Sequence, residues 1–205
     1  MSAIIINLSP AFAHIATDTL VVGGDPLIPV GFTMKAKPWH RLKIIVAGTG
    51  LFGFADHWLT WADENLMDVS DIEDVDITMP PVLAEMYRGA SGSTTVYLFG
   101  IGFDAKMKGF SYSSDLDFVS RPISYGQSVK PTAGPEPDTV QYRNLIQVMQ
   151  DQRAIQERIE INDRLHIGGE IHALTLDADG VFTHEVVHQF DDYADIIKSV
   201  TPEMI

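Results

Sequence analysis

The sequence predicts an α+β protein with two mainly antiparallel sheets, in which pairs of strands alternate with helices. Three observations favour this class. Apolar runs separated by turn residues predict strand pairs at both ends of the chain. Segments between them carry apolar residues at the spacing of a helix. A chain of 205 residues, 45% of them apolar, is long enough for one buried core, so we expect a single domain over residues 1–205.

The first half of the chain is expected to hold three strands and two helices. Apolar runs bounded by turn residues predict the strands, at residues 3–8, 11–22 and 42–47. A helix follows the third strand, because Phe54, Trp58 and Trp61 recur at positions i, i+4 and i+7. The acidic stretch Asp68 to Asp76 is expected to be a solvated loop, and Pro80-Pro81 to begin the second helix.

The second half is expected to hold four strands and one long helix. The strands are predicted at residues 94–101, 110–113, 170–176 and 181–190, the last two as a hairpin around Asp177-Ala178-Asp179-Gly180. Residues 128–138 are rich in proline and are predicted to be a loop. Residues 139–159 predict the clearest helix, since one stripe contains Leu145, Val148, Met149, Gln152, Ile155 and Ile159.

The charge balance excludes several classes of function. Lys and Arg total 14, Asp and Glu total 28, and the net charge is −14. Phosphate groups and anionic lipids require a basic surface, so we expect neither nucleic acid nor a membrane as partner. The absence of cysteine from the sequence excludes disulfides, thiolate catalysis and Cys-ligated zinc. Residues 3–13 are largely apolar, but a secretion signal also needs basic residues before its apolar segment, and the first basic residue here is Lys35. We therefore expect a cytoplasmic protein.

One glycine-rich turn, Gly48-Thr49-Gly50-Leu51-Phe52-Gly53, matches the GxGxxG pattern of dinucleotide-binding proteins. In those proteins a second parallel strand follows and ends in an acidic residue about 20 positions later. Here that position falls in the acidic stretch Asp68 to Asp76, which no β-branched run precedes. We therefore expect a structural turn between a strand and a helix, and no nucleotide cofactor.

A second motif, His184-Glu185-Val186-Val187-His188, matches the HExxH signature of zinc peptidases. That chemistry requires a helix, because only a helix brings side chains at i and i+4 to one metal ion. The segment follows an Asp-Gly turn and is poor in helix formers, so we predict a strand, with the two imidazoles about 13 Å apart. A zinc metallopeptidase through His184, Glu185 and His188 is therefore the weakest alternative, and no metal site is expected.

Ser2 follows the initiator Met1, and a residue this small normally allows that methionine to be removed. Ser2 would then begin the chain, with a free α-amino group beside its own hydroxyl. Such an amine, with a reference pKa of about 7.7–8.0, can act as general base for the hydroxyl nucleophile without a histidine. Ser2 is therefore a candidate nucleophile, although serine is also a common second residue.

Four parts of the chain carry a resemblance to a known family: the first hairpin from Ile4 to Asp18, Lys35-Ala36-Lys37-Pro38-Trp39, Ile44 to Gly50, and Ile167 to Ile171 with Asp179-Gly180. These segments and their order resemble the proteasome β-subunit family of N-terminal-nucleophile (Ntn) hydrolases, along nearly the whole chain. The resemblance implies a four-layer αββα sandwich. It also implies a homo-oligomer, in the family a ring, and a peptide or amide substrate.

The resemblance further implies a catalytic set of four residues: Ser2, Asp18, Lys35 and Gly48. Asp18 and Gly48 lie sixteen and forty-six residues after Ser2, which are the family's spacings. The family's lysine falls one position before Lys35, so Lys35 matches if the loop differs by one residue, and Lys37 is the alternative. In this scheme Lys35, paired with Asp18, activates the Ser2 hydroxyl electrostatically. The backbone N–H of Gly48 would bind the oxyanion.

The sequence departs from the family's pattern around the terminal amine. The family's supporting Asp and Ser are replaced by Arg164-Leu165-His166-Ile167, with Asp163 beside them. A further supporting serine is left open among Ser113, Ser114 and Ser120. The nucleophile is Ser in place of the Thr usual in proteasomes. We predict a Ser-type Ntn amidohydrolase or peptidase, or, if Met1 is retained, a catalytically silent structural or assembly subunit on the same fold.

Overall fold

The fold is given by a computed structural model that describes residues 2–25, 27–131, 144–161 and 163–200. The strands in these ranges are β1 (Ile4–Leu8), β2 (Phe12–Asp18), β3 (Leu20–Gly23), β4 (Ile28–Phe32), β5 (Ala36–Trp39), β6 (Ile44–Thr49), β7 (Thr95–Ile101), β8 (Met107–Ser113), β9 (Arg121–Pro122), β10 (Gly126–Lys130), β11 (Glu170–Asp177) and β12 (Phe182–Gln189). The helices are α1 (Phe54–Asn65), α2 (Ile72–Tyr87), α3 (Leu145–Gln156) and α4 (Tyr193–Val200).

Two antiparallel five-stranded sheets form the centre of the protein. The first sheet has the order β10-β1-β2-β11-β12 and the second has the order β5-β6-β7-β8-β9, while β3 and β4 form a separate hairpin. In the first sheet Ile4 of β1 lies opposite Lys130 on one side and opposite Thr17 on the other. Asp18 of β2 lies opposite Ile171 of β11. The first and last hairpins of the chain are therefore neighbours in one sheet.

Three buried clusters give the order of the layers. The cluster between the two sheets includes Ile4, Ile6, Ile15, Ile45, Phe99 and Leu174. The cluster between the second sheet and helices α1 and α2 includes Val46, Trp58, Ile72, Leu83 and Leu98. The cluster between the first sheet and α3 includes Ala3, Ile5, Ala16, Met149 and Ile171. The layers are helix, sheet, sheet and helix, so the predicted α+β class and four-layer sandwich are confirmed.

The acidic stretch Asp68 to Asp76, predicted to be a loop, contains the start of α2 at Ile72, so the prediction was wrong for residues 72–76. The Asp71 side chain accepts hydrogen bonds from the backbone N–H groups of Glu73 and Asp74, at 2.9 and 3.1 Å. Acidic side chains in the first turn also stabilise the positive end of the helix dipole. One face of the helix buries Ile72, Val75, Met79 and Leu83. Pro80-Pro81 therefore lies inside the helix and does not begin it.

The second half agrees with the predicted strand pairs and differs in three other places. Residues 128–130, predicted as loop, belong to β10, and residues 132–138 of that predicted loop lie outside the described residues. The predicted long helix is present as α3 but ends at Gln156 and not at Ile159, and residues 139–143 also lie outside the described residues. The helix α4 was not predicted, and its Tyr193 ring contacts Phe32 of β4 edge to face. None of the helices in the described ranges is long and apolar enough to cross a membrane.

Candidate functional site

A buried ion pair between Asp18 and Lys35 lies where β2 ends and β5 begins. The side chain of Asp18 is fully buried and that of Lys35 is 8% exposed. The Lys35 Nζ donates to Asp18 Oδ1 at 2.8 Å and to the carbonyl oxygen of Leu20 at 2.8 Å. Burial holds the pKa of Lys35 below the ordinary lysine value, and the charge of Asp18 offsets this only in part. Since both charges are removed from water, their further hydrogen bonds are essential to their stability.

The Asp18 carboxylate also binds two backbone N–H groups. Its Oδ1 accepts from Ala3 at 3.1 Å, and its Oδ2 accepts from Gly168 at 3.3 Å. Ala3 directly follows Ser2, so Asp18 fixes the start of β1 relative to Lys35. The pairing of Asp18 with Lys35 has the geometry that the sequence predicted. The hydrogen bond from Gly168 was not predicted, because a backbone donor leaves no side-chain pattern in the sequence.

Two glycines let the chain before β11 approach the end of β2. Gly169 has a φ of +79°, and a Cβ there would lie 2.4 Å from the hydroxyl oxygen of Thr19. A Cβ on Gly168 would lie 3.2 Å from a methyl carbon of Leu20. This close approach brings the Gly168 N–H within reach of Asp18. The adjacent pair Gly168-Gly169 permits this approach, but the residue types alone do not show which segment the pair approaches.

Ser2, Lys35 and Gly48 line one cavity of about 260 Å³. The apolar part of its wall consists of Leu20, Val21, Val22, Met34, Leu51, Phe52 and Ala55. Three of the four predicted catalytic residues therefore face a common space, and the fourth, Asp18, contacts Lys35 from behind. The rest of the wall is polar and includes the Asp56 carboxylate, and several polar groups converging on one concave space are typical of a small-ligand site.

The Gly48–Gly53 turn is structural in its packing. A Cβ on Gly48 would lie 2.6 Å from the Cβ of Ala55 on α1, and Gly50 has a φ of +103°. A Cβ on Gly50 would lie 2.2 Å from the carbonyl oxygen of Ser93. The strand before the turn, β6, has antiparallel neighbours on both sides, whereas the GxGxxG fingerprint belongs to a parallel βαβ unit. The predicted structural turn is confirmed.

The backbone N–H of Gly48, predicted as oxyanion donor, already donates to the carbonyl oxygen of Lys35 at 2.9 Å. An oxyanion donor must be free to point at the developing negative charge. The Gly48 N–H can take that role only if this hydrogen bond opens. Gly50 lies two residues further along and also lines the cavity. Gly50 follows the end of β6 and has a positive φ, so its N–H is a second candidate donor from the same turn.

The predicted supporting serines lie at different distances from the cavity. Ser114 Oγ accepts the backbone N–H of Thr94 at 3.0 Å, and Thr94 lines the cavity. Ser113 caps the short 3-10 turn that follows β8. Ser120 donates to the Asp76 carboxylate on α2, on the outer side of the second sheet. Of the three positions left open by the sequence, Ser114 has the direct contact with a cavity residue.

Two other candidates have partners of their own. Lys37, the alternative lysine, forms an ion pair with Asp56 of α1 at 2.7 Å, and the two side chains are 35% and 41% exposed. Lys37 therefore belongs to the helix side of the second sheet. Asp163 is exposed, and its backbone N–H donates to the carbonyl oxygen of Glu160. Neither residue contacts the Asp18–Lys35 pair through a hydrogen bond described in the structure.

The HExxH segment lies in β12, a strand, as predicted. His184 lies opposite Leu174, whose side chain packs between the sheets, and His188 lies opposite Ile171, which packs on the α3 side. A register shift in the β11–β12 pair turns the two histidines to opposite sides of the sheet, and His188 contacts Gln150 of α3. One zinc ion cannot bind both imidazoles, so the metallopeptidase alternative is wrong. Among the described residues, no group of three or more His, Asp or Glu side chains could hold a metal ion.

Comparison with known proteins identifies the fold. Neither a protein-family model nor a curated protein sequence matches the chain. Anbu (ancestral beta-subunit) from Yersinia bercovieri is similar in structure, with a TM-score of 0.63 and 12% sequence identity over 97% of this chain and 93% of Anbu. A Gly-1 mutant of Anbu from Hyphomicrobium sp. strain MC1 has a TM-score of 0.64 and 10% identity over the same shares of the two chains. The chain therefore has the proteasome β-subunit-like fold of Anbu, which the sequence resemblance predicted.

Proposed function

We propose that this protein is a serine-type Ntn hydrolase that cleaves peptide or amide bonds, with Ser2 as nucleophile after removal of Met1. The observation that carries the proposal is the set of hydrogen bonds at Asp18. One buried carboxylate accepts from the N–H of Ala3, next to Ser2, and from the ammonium group of Lys35. The segment around Ser2 is thereby held beside a desolvated cation, at a cavity with both polar and apolar walls.

The geometry supports a two-step acyl transfer. The Ser2 Oγ attacks the amide carbonyl carbon, and the α-amine of Ser2 takes the hydroxyl proton. The tetrahedral intermediate collapses when that amine gives the proton to the leaving nitrogen, which leaves an ester on Ser2. Water then attacks the ester, the amine takes a proton from water, and it returns a proton to Oγ as the acid product departs. The Lys35 ammonium favours the developing negative charge throughout.

The oxyanion of this scheme needs a backbone donor from the Gly48–Gly53 turn. The Gly48 N–H serves if its hydrogen bond to the Lys35 carbonyl oxygen opens when substrate binds. Catalytic hydrogen bonds are often incomplete before substrate binds, so this bond alone does not remove Gly48 from the scheme. The Gly50 N–H is the alternative donor at the same wall of the cavity.

A second candidate function is a catalytically silent structural or assembly subunit. The observation that favours it is the Gly48 N–H, which is already paired with Lys35 and so leaves the predicted oxyanion site incomplete. In this case Met1 is retained and the Asp18–Lys35 pair only stabilises the fold. The two functions differ in the chemistry of the first residue. For both candidate functions we propose a homo-oligomer, and the family resemblance implies that it is a ring.

The state of the terminus can be tested chemically. Periodate cleaves a 1,2-amino alcohol to an aldehyde. A serine at the N-terminus has this group, because its free α-amine is next to its hydroxyl, whereas an N-terminal methionine does not. We expect the purified protein to have lost Met1 by intact mass, and to take up an aminooxy label at its first residue after periodate treatment. Retention of Met1 would exclude the hydrolase and leave the silent subunit.

Activity is tested with a panel of peptide and simple amide substrates. We expect Ser2→Ala to abolish hydrolysis without change in the circular dichroism spectrum, and Ser2→Thr to retain hydrolysis because it keeps a hydroxyl beside the amine. The matched control is Ser91→Ala, since Ser91 is exposed and lies outside the cavity. Turnover by Ser2→Ala equal to that of the control would rule out Ser2 as nucleophile.

A further inference from the structure

Lys130, the last residue of β10, lies on the same face of the first sheet as Ser2. Lys130 is directly opposite Ile4, whose side chain packs between the two sheets. Side chains along β1 alternate between faces: Ala3 and Ile5 pack toward α3, while Ile4 packs toward the second sheet. Continued by two residues, this alternation places Ser2 on the Ile4 face. Ser2 and Lys130 are therefore diagonal neighbours on adjacent strands.

The side chain of Lys130 crosses from the first sheet to the second. Its Nζ donates to the hydroxyl oxygen of Thr95 at 3.1 Å. Thr95 lies opposite Thr49, the residue that follows Gly48. The preceding residue, Thr94, lines the cavity. The Lys130 ammonium is thus held at Thr95, one residue from the cavity wall, and comes from β10. The Lys35 ammonium lies on the opposite side, next to Asp18 of β2.

The two lysines differ in how their charge is balanced. Lys35 forms a direct ion pair with a fully buried carboxylate. Lys130 has a neutral hydroxyl as its hydrogen-bond partner, and in the described ranges no carboxylate forms an ion pair with it within 4.0 Å. Asp115 acts on it only from a greater distance, and burial holds the pKa of Lys130 below the ordinary lysine value. Its positive charge is therefore less compensated than that of Lys35.

We propose that Lys130 is a positioning residue of the Ser2 site, which keeps the terminal amine of Ser2 in the neutral form that accepts the hydroxyl proton. A neighbouring cation disfavours protonation of an amine. The inference rests on the proposed function, because it assigns a role toward the Ser2 amine. The charged or titratable groups on the elements around this end of the sheets are Asp18, Lys35, Lys37, Asp56, Tyr97, Asp115, His166, Glu170 and His172. Asp56 lines the same cavity as Ser2, and its charge acts against that of Lys130, although Lys37 pairs with it.

The size of the effect follows from the register. The backbones of diagonal neighbours are separated by about 7–8 Å, and the Lys130 ammonium lies further away, at Thr95 of the second sheet. At a charge separation of about 12 Å, and with an effective dielectric constant of about 20, one positive charge lowers the pKa of an amine by about one unit. For an amine with the reference pKa of about 7.7–8.0, one unit increases the neutral fraction at pH 7 by a factor of about four to five.

The test measures the Ser2 amine directly. Each protein is released from an N-terminal fusion by a protease that leaves Ser2 first, so the measurement does not depend on natural removal of Met1. The amine is labelled with limiting isotopic acetic anhydride between pH 5 and 9, and the labelled N-terminal peptide is quantified by mass spectrometry. The variants are Lys130→Met, Lys130→Gln and Lys130→Arg. Lys106→Met is the control, because it removes the same charge from an exposed site.

We expect the two neutral variants to raise the apparent pKa of the Ser2 amine by about one unit, and Lys130→Arg and Lys106→Met to leave it unchanged. If the wild type hydrolyses amides, the acidic limb of its pH–rate profile should move upward with the amine in Lys130→Met. The inference is overturned if the Ser2 amine has the same pKa in Lys130→Met as in Lys106→Met. If Lys130→Met does not fold, Lys130→Gln takes its place in this comparison. Retention of Met1 in the native protein would instead refute the proposed function, and the amine measurement would still decide the role of Lys130.

Discussion

Removal of the negative charge from Asp18 should destabilise the protein more than any other single charge substitution near the cavity. Asp18→Asn keeps the size of the side chain but replaces a carboxylate that binds Lys35, Ala3 and Gly168. The Lys35 ammonium is then left with 8% exposure and without its counter-charge. Loss of one partner from a buried ion pair costs about 3–5 kcal/mol.

Urea unfolding followed by tryptophan fluorescence measures this cost. With a slope of about 2–3 kcal/mol per molar, the midpoint should fall by about 1–2.5 M at pH 7. The control is Asp56→Asn, which removes the partner of Lys37 from an exposed ion pair and should cost less than about 1 kcal/mol. The double variant with Lys35→Met should recover most of the stability, since it removes the charge that Asp18→Asn leaves unpaired.

The pH dependence provides a second check. The pKa of Lys35 is already held below 10.5 by burial, and loss of Asp18 removes the charge that raises it. The cost of the unpaired ammonium is complete below the pKa of Lys35 in the folded variant and shrinks as the pH rises toward 10.5. The stability gap between variant and wild type should therefore narrow from pH 7 to pH 9.5. Equal midpoints for Asp18→Asn and Asp56→Asn, or a gap that widens with pH, would refute this reasoning.

Three further predictions concern other parts of the fold. Asp192→Asn should lower the free energy of unfolding by about 0.5–1 kcal/mol at pH 7, because it breaks the two hydrogen bonds with Arg153 at 2.9 and 2.7 Å. That contact lowers the pKa of Asp192, so the difference in thermal midpoint between variant and wild type should disappear as the pH falls below 3.8. Gly48→Ala should cost about 1–3 kcal/mol in urea unfolding, because its Cβ would overlap that of Ala55, and an unchanged midpoint would contradict this packing. Asp71→Ala should lower the thermal midpoint by the equivalent of about 1 kcal/mol through loss of the α2 cap, with no change in quaternary mass by light scattering.

Local patterns in the sequence predicted most of the strands and both hairpins that bring the chain ends together. They failed at α2 because the acidic residues there have two roles: they stabilise the helix start and alternate with a buried apolar stripe. The prediction for residues 68–76 relied on their net negative charge and did not consider the helical spacing of Ile72 and Val75. Prolines ordinarily occur at the start of a helix, but Pro80 and Pro81 lie in the interior of α2. No local sequence pattern indicated this position.

The family resemblance led us to expect an ion pair between Asp18 and Lys35, although Lys35 is one position from the family's spacing and Lys37 was left open, and the structure contains that ion pair. The candidate site was not predictable where it depends on the backbone. The N–H of Gly168 completes the Asp18 site, and the N–H of Gly48 is already bound, yet both facts follow from strand register and not from residue type. Lys130 was missed for the same reason, since only its pairing with Ile4 brings it to Ser2.

The central position of β2 between β1 and β11 has a consequence for synthesis of the chain. The amino-terminal strands leave the ribosome first, but the edge of β2 has no partner until Glu170–Asp177 has also been made. Closure of so long a loop makes this pairing a late and slow step of folding. The Asp18 carboxylate lacks the Gly168 N–H until then. In a nascent chain the environment of Ser2 is therefore incomplete until β11 has been made and has paired with β2.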